Sequence, residues 1–192
     1  MAASNEVMLV RHGETDDNAA ARFQGRRDTL LNERGREQSR ALAERLRDEG
    51  LQALYTSPLQ RASATAQILG DLLGLEAIVD ARLMEADAGD WSGRLIADVT
   101  AKDPQAWERW RSADPAFRFP GGESVAEQAA RVSSALADVA AGPLPALVVT
   151  HGGSIRAVGA IERISGPPAR SIGNCALFRL PAVIAAPPGP RT

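Results

Sequence analysis

The chain carries two histidines, His12 and His151, and each follows a short apolar run and precedes a glycine. Val7-Met8-Leu9-Val10 leads into Arg11-His12-Gly13, and Ala146-Leu147-Val148-Val149-Thr150 leads into His151-Gly152-Gly153. Apolar runs of this length, rich in β-branched residues and ended by glycine, read as buried strands. In an open α/β sheet, ligands bind at the carboxyl ends of the strands. The repeated pattern therefore predicts one site assembled from both ends of the chain. Arg11 beside His12 suggests its chemistry. A guanidinium fork matches phosphate oxygens, and an imidazole can attack and hold a phosphoryl group. Phosphoryl transfer also needs charge neutralisation on the transferred oxygens and a proton for the leaving oxygen. Arg61, just inside a predicted helix whose terminal amides also favour anions, and Glu85, just past a strand-like stretch, are candidates for these tasks. Glu14, Asp87 and Asp90 compete with Glu85 for the proton.

The elements that must hold these groups alternate between strand and helix patterns, which predicts an α/β fold of parallel character. Residues 14–31 read as a long polar loop. Its Arg22, Arg26 and Arg27 fit either a second anionic group on the substrate or plain solvation. Asn32 is an N-cap for a helix reaching about residue 49, with Gly35, Ser39, Leu42, Ala43 and Leu46 at helical spacing. Residues 53–56 form a short strand, and Ser57-Pro58 reads as a cap followed by a proline at the first helical position. That helix runs to about Leu73, and residues 76–79 are again strand-like. Residues 80–122 read as a mixed helix and loop insertion covering one side of the site. It holds Trp91, Trp107, Trp110, Phe117 and Phe119, read as core or lid packing. A helix over residues 124–141, one after Gly153 and a last strand over residues 176–180 complete the pattern. Residues 1–184 are expected to form one domain, and the Pro-rich stretch 185–192 a disordered tail.

Composition sets further bounds. With 192 residues, 44% hydrophobic and 24% charged, the chain fits a single domain with a sizeable core. A formal net charge of -2 argues against nucleic acid or an anionic membrane as partner. A single cysteine, Cys175, excludes an intrachain disulfide and a Cys-based zinc cluster, and reads as a small buried hydrophobe. No apolar run is long enough for a membrane span, and residues 1–5 have no basic leader, so a cytoplasmic protein is expected. The two histidines lack the H-E-x-x-H spacing of a metal site. Gly152-Gly153-Ser154 is not a nucleophile elbow, because Arg156 stands where that motif needs its last glycine.

The motifs, taken in order, resemble the histidine phosphatases, the phosphoglycerate mutase-like superfamily. The matching residues are Arg11-His12-Gly13-Glu14-Thr15 with Asn18, Phe23-Gln24-Gly25 with Asp28, and Ser57-Pro58-Leu59-Gln60-Arg61-Ala62. They continue through Glu85, Gly89-Asp90-Trp91-Ser92-Gly93, Pro120-Gly121-Gly122-Glu123-Ser124 and Thr150-His151-Gly152-Gly153. The resemblance implies a three-layer α/β/α fold with a mostly parallel central sheet. It implies His12 as the nucleophile of a phosphohistidine intermediate, with Arg11, Arg61 and His151 making the phosphate pocket. Asn18 would be a further phosphate contact, with Gly25 and Gly152 in the same binding set. Glu85 would be the acid for the leaving group and then the base for water, and no metal or organic cofactor is implied.

Three departures bear on the substrate rather than the chemistry. Asp17 stands where many relatives have an aromatic residue, Ser92 where many have glutamate, and Thr29 where proline is common. The expected activity is hydrolysis of small phosphomonoesters. A mutase would need water excluded from its phosphoenzyme, and the short 94–120 insertion and Pro-rich tail look poorly suited to that. A phosphoglycerate mutase is the alternative enzyme, and a non-catalytic phosphate-ligand or protein-interaction module the alternative of another class. Relatives often pair through exposed sheet faces, so a homodimer is an expectation as well.

Overall fold

The computed structural model describes residues 6–162 and 172–181. Five strands form one sheet in the order β3-β2-β4-β1-β5. Strands β1 (Glu6–Arg11), β2 (Ala53–Thr56), β3 (Ala77–Val79) and β4 (Ala146–Thr150) run parallel, and β5 (Leu177–Pro181) pairs antiparallel with β1 at one edge. Helices α2 (Glu33–Leu46) and α3 (Gln60–Leu73) pack side by side on one face. Helices α6 (Val125–Ala140) and α7 (Gly152–Glu162) pack together on the other. From β1 through β2 to β3 the chain moves one way across the sheet, and from β3 through β4 to β5 it moves back. Right-handed crossovers require that this reversal switch the helices to the opposite face.

Covering both faces explains why β1 and β4 read as unbroken apolar runs. Along β1, Val7 and Leu9 join the core under α6 while Met8 and Val10 join the core under α2 and α3. Ala146 and Val148 alternate with Leu147 and Val149 in the same way on β4. The predicted apolar face of α2 is the buried one: Gly35, Ser39, Leu42, Ala43 and Leu46. Asn32 caps it by accepting from Gly35 N, as expected. Ser124 caps α6 in a reciprocal pair with Glu127.

Two local expectations are corrected. Helix α3 begins at Gln60, two residues beyond the proline, and Leu59 is its N-cap without a side-chain bond. The Ser57 hydroxyl is engaged elsewhere, and the exposed helix-start amide of Gln60 donates instead to Asp28 Oδ1 at 2.7 Å. Within residues 14–31, Thr15 and Asn18 cap a short helix, α1 (Asp16–Ala19), through reciprocal bonds. The 80–122 insertion is mixed, as predicted, with helices α4 (Ile96–Lys102) and α5 (Pro104–Arg111) and two 3-10 turns. Its aromatic residues form a third core in which Phe23, Trp91, Phe117 and Phe119 are buried and Trp107 and Trp110 partly so. Cys175 is buried, as expected. The expected tail, residues 185–192, lies outside the described residues. Among the described residues no helix is long and apolar enough to cross a membrane.

The turn after β1 is pressed against the start of α2. A Cβ on Gly13 would lie 2.4 Å from Gly35 O, and one on Gly35 would lie 2.2 Å from Glu14 O. Neither contact is relieved by moving a side chain. Gly35→Ala is therefore expected to cost about 1–3 kcal/mol of stability. It should also lower activity by shifting the His12 turn, as urea denaturation and a rate assay on one preparation would show.

Candidate active site

The register of β1 on β4 ends with Arg11 opposite Thr150, so the next residues, His12 and His151, stand side by side. Their ring centroids are 5.2 Å apart. His12 Nδ1 lies 2.7 Å from Gly13 O, which can only accept. The ring proton is thereby assigned to Nδ1, leaving a lone pair on Nε2. Ser57 Oγ accepts from Leu59 N at 3.3 Å and lies 2.8 Å from His151 Nε2, to which its own proton is free to go. The other ring nitrogen of His151, Nδ1, is buried and has no hydrogen-bond partner among the described residues. Burial, reinforced by the Arg61 and Arg11 charges, holds the pKa of both histidines well below the ordinary value. Both rings are neutral at neutral pH.

Arg61 is buried in the first turn of α3. Its Nε donates to His12 Nε2 at 3.2 Å, and its two terminal nitrogens donate to Arg27 O at 2.7 Å and Gly25 O at 2.8 Å. Among the described residues no carboxylate bonds to it. Burial lowers its pKa to about 10, with Glu85 and Asp28 opposing the shift, so it stays charged at neutral pH. Arg11 donates from Nη1 to Ile172 O, while its buried Nε has no hydrogen-bond partner among the described residues. Burial lowers its pKa as well, and Glu85 offsets part of the effect.

Glu85 sits on irregular backbone that side chains from three elements tie down. Arg131 of α6 donates to the carbonyls of Arg82, Met84 and Glu85, Thr150 of β4 to that of Leu83, and Ser154 of α7 to that of Met84. The Glu85 carboxylate is held equally firmly. Its Oε1 accepts from Ala86 N at 2.9 Å and Gln128 Nε2 at 2.8 Å, and Oε2 accepts from Gly153 N at 2.9 Å. A Cβ on Gly153 would lie 2.4 Å from Oε1, so glycine is what lets the carboxylate approach α7.

These groups line one cavity of about 230 Å³. Arg11, His12, Asn18, Gly25, Arg61, Glu85 and Gly152 all line it, and His151 stands beside His12. Asn18 Oδ1 accepts from Asn174 Nδ2, which also donates to His12 O. Of the competing acids, Glu14 is turned toward Asn32 and Arg34, and Asp87 caps its own turn at Gly89 N. Neither they nor Asp90 line the cavity. Among the loop arginines, Arg22 lines it, whereas Arg26 pairs with Glu123 and Arg27 with Asp17.

Sequence reading alone passed over Gln128, Arg131, Ser57, Asn174, Arg111 and Arg156. Gln128 had a signal, since it is a polar residue on the buried face of α6 beside Val125, Ala129 and Val132. Glu123 in the Pro-Gly-Gly-Glu-Ser motif acts at one remove, through two bonds from Arg131 at 2.7 and 2.8 Å.

Fold and pocket together define an α/β protein with a cationic, two-histidine cavity at its strand ends. The chain belongs to the histidine phosphatase superfamily (branch 1), whose family model matches residues 7–180. It is similar to "Phosphoserine phosphatase 1" of Hydrogenobacter thermophilus, with 40% identity over 134 residues. That match covers 70% of this chain and 64% of the relative, just under two thirds of the relative's length. It is 36% identical over 186 residues to "Probable phosphoglycerate mutase GpmB" of Photorhabdus laumondii, covering 91% of this chain and 84% of the relative. Among solved structures, a mycobacterial glucosyl-3-phosphoglycerate phosphatase complexed with VO3 superposes with a TM-score of 0.80 at 35% identity. The match covers 91% of this chain and 90% of that one.

The neutral, buried histidines make a prediction for stability. The unfolded chain binds protons on both as pH falls below about 6.5, while the folded chain does not. Stability should therefore fall from pH 6.5 toward 5.5, each histidine contributing up to about 1.4 kcal/mol per pH unit. Urea denaturation across that window should show the slope, and His12→Gln should remove about half of it.

Proposed function

We propose that the chain is a phosphatase that hydrolyses phosphomonoesters through a phosphohistidine on His12. The observation that carries this reading is the buried cluster of two neutral imidazoles and two charged guanidiniums facing one fixed carboxyl group. A dianionic phosphate supplies the negative charge that the corner lacks. Names of the relatives support the class: phosphoserine phosphatase, and a glucosyl-3-phosphoglycerate phosphatase that binds VO3.

In the proposed reaction the phosphoryl oxygens take up the donors of Arg11, Arg61 and His151, with Asn18 as a further contact. Arg61 Nε gives up its bond to His12 Nε2 and turns to a phosphoryl oxygen, which frees the lone pair. Nε2 attacks phosphorus, the ester P–O bond breaks, and Glu85 in its acid form gives its proton to the leaving oxygen. Water then attacks the phosphohistidine and its proton passes to Glu85. The P–N bond breaks, releasing phosphate and restoring neutral His12. Gly25 holds Arg61 through its carbonyl, and Gly152 lines the corner beside Arg11.

Phosphate release from p-nitrophenyl phosphate in excess EDTA tests the reading. The expected result is activity that survives the chelator and falls at least ~10³-fold in His12→Ala, roughly 4 kcal/mol of transition-state stabilisation. Alkaline quench of the wild type should trap an alkali-stable, acid-labile phosphoenzyme that His12→Ala lacks. Isomerisation of a phosphoglycerate without release of phosphate would favour the mutase reading instead.

Glu85→Gln gives a second test that separates the acid from the nucleophile. Loss of a general acid costs about 10²–10⁴-fold where the leaving group is poor. So kcat/KM should fall by that much for an alkyl phosphate, and far less for p-nitrophenyl phosphate, whose leaving group needs no proton. An equal loss on both substrates would refute the acid role.

A further inference from the structure

Five arginines line the cavity, and four of them have protein acceptors. Arg11 donates to Ile172 O, Arg22 to Gly93 O, and Arg61 to His12, Gly25 and Arg27. Arg111 is bound through two nitrogens to Glu108. The fifth, Arg156 on the second turn of α7, has no hydrogen bond or ion pair among the described residues, yet it is largely buried. Both oxygens of Glu85, the acidic residue of the lining, are already taken by Ala86, Gln128 and Gly153. What holds Arg156 is an aromatic face, with its guanidinium carbon 4.4 Å from the Trp110 ring centroid. Trp110 is itself set by Phe23 at 4.9 Å and Trp107 at 5.1 Å. A guanidinium over a ring keeps its N–H edge free for an acceptor in its own plane.

A largely buried guanidinium whose hydrogen-bonding edge finds no acceptor among the described residues is costly unless a ligand supplies one. We propose that Arg156, positioned by Trp110, is a specificity-determining residue that binds a second anionic group, a carboxylate or a second phosphate, on the substrate. This rests on the phosphatase reading only in placing the substrate's first phosphate at His12. The apolar wall of Phe23, Ile96, Trp107 and Phe119 then lies against the carbon skeleton between the two charges. Burial lowers the pKa of Arg156 and Glu85 opposes the shift, so an incoming anion finds a charged, incompletely solvated guanidinium.

Calorimetric titration of the non-turnover His12→Ala protein with matched ligands tests the proposal. One pair is 3-phosphoglycerate and glycerol 1-phosphate, which differ in the carboxylate. The other is fructose 1,6-bisphosphate and fructose 1-phosphate, which differ in the second phosphate. The doubly anionic member of one pair should bind at least about tenfold more tightly, the gain expected of a charge-assisted bidentate contact. The pair that shows the gain identifies the group. Arg156→Gln in the same background should remove the difference, and Arg156→Lys should keep part of it. Equal affinity within both pairs, or a difference that survives Arg156→Gln, overturns the proposal. Turnover of p-nitrophenyl phosphate by the wild type decides the phosphatase reading separately, so the two can fail independently.

Discussion

The burial of Arg61 is the constraint on which the rest of the site depends. A guanidinium removed from water needs acceptors for its donors and a compensating charge. This one finds two carbonyls and an imidazole, with Glu85 and Asp28 acting on it through space. Each partner has a structural price elsewhere. The loop carrying Gly25 and Arg27 must fold back onto α3, and Gly25 must take a φ of 53° there. A Cβ on Gly25 would meet Ala88 Cβ and Ser92 Oγ, both at 2.9 Å. His12 must keep its proton on Nδ1, which fixes the turn at Gly13. Asp28 anchors the same loop by taking over the cap of the helix that carries Arg61.

Around that charge, the regular elements supply position and the irregular backbone supplies function. The buried strands β1 and β4 bring the histidines together with little freedom, because a one-residue slip would turn every core side chain to the wrong face. Glu85, in contrast, stands on backbone without ladder or helix bonds. Its neighbouring carbonyls would be unsatisfied without Arg131, Thr150 and Ser154. The two loops that flank it touch backbone to backbone: a Cβ on Gly89 would lie 2.1 Å from Pro120 O, and one on Gly122 would lie 2.3 Å from Asp87 O. The glycines of both motifs therefore serve close packing around the carboxylate.

Much of this was legible in the chain itself. Strands β1 and β4 were readable because burial on both faces leaves an unbroken apolar signature, and α2 because its cap and its apolar stripe agree. The start of α3 was not, since its cap comes from Asp28 in a distant loop rather than from the adjacent Ser57. Arg11, His12, Arg61 and Glu85, which the fold brings to one cavity, were legible as strand-end and motif positions. Gln128, Arg131 and Asn174 were hidden because they act on other side chains or on carbonyls, and long-range hydrogen bonding leaves no period in a sequence. The tryptophans were read as core or lid packing; all three join the third core, and Trp107 and Trp110 also line the cavity.

Strand β4 lies between β1 and β2 although it follows β2 by about 90 residues of chain and β1 by about 135. During synthesis the first two strands therefore emerge with facing edges unpaired, and no local hairpin can satisfy them. Until residue 151 is available the sheet has a gap at its centre and His12 lacks the neighbouring His151 ring. Such non-local closure is slow and leaves strand edges open to intermolecular pairing. The nascent protein thus passes through a long interval in which it has neither a closed sheet nor an assembled two-histidine corner. Assistance to folding matters most in that interval.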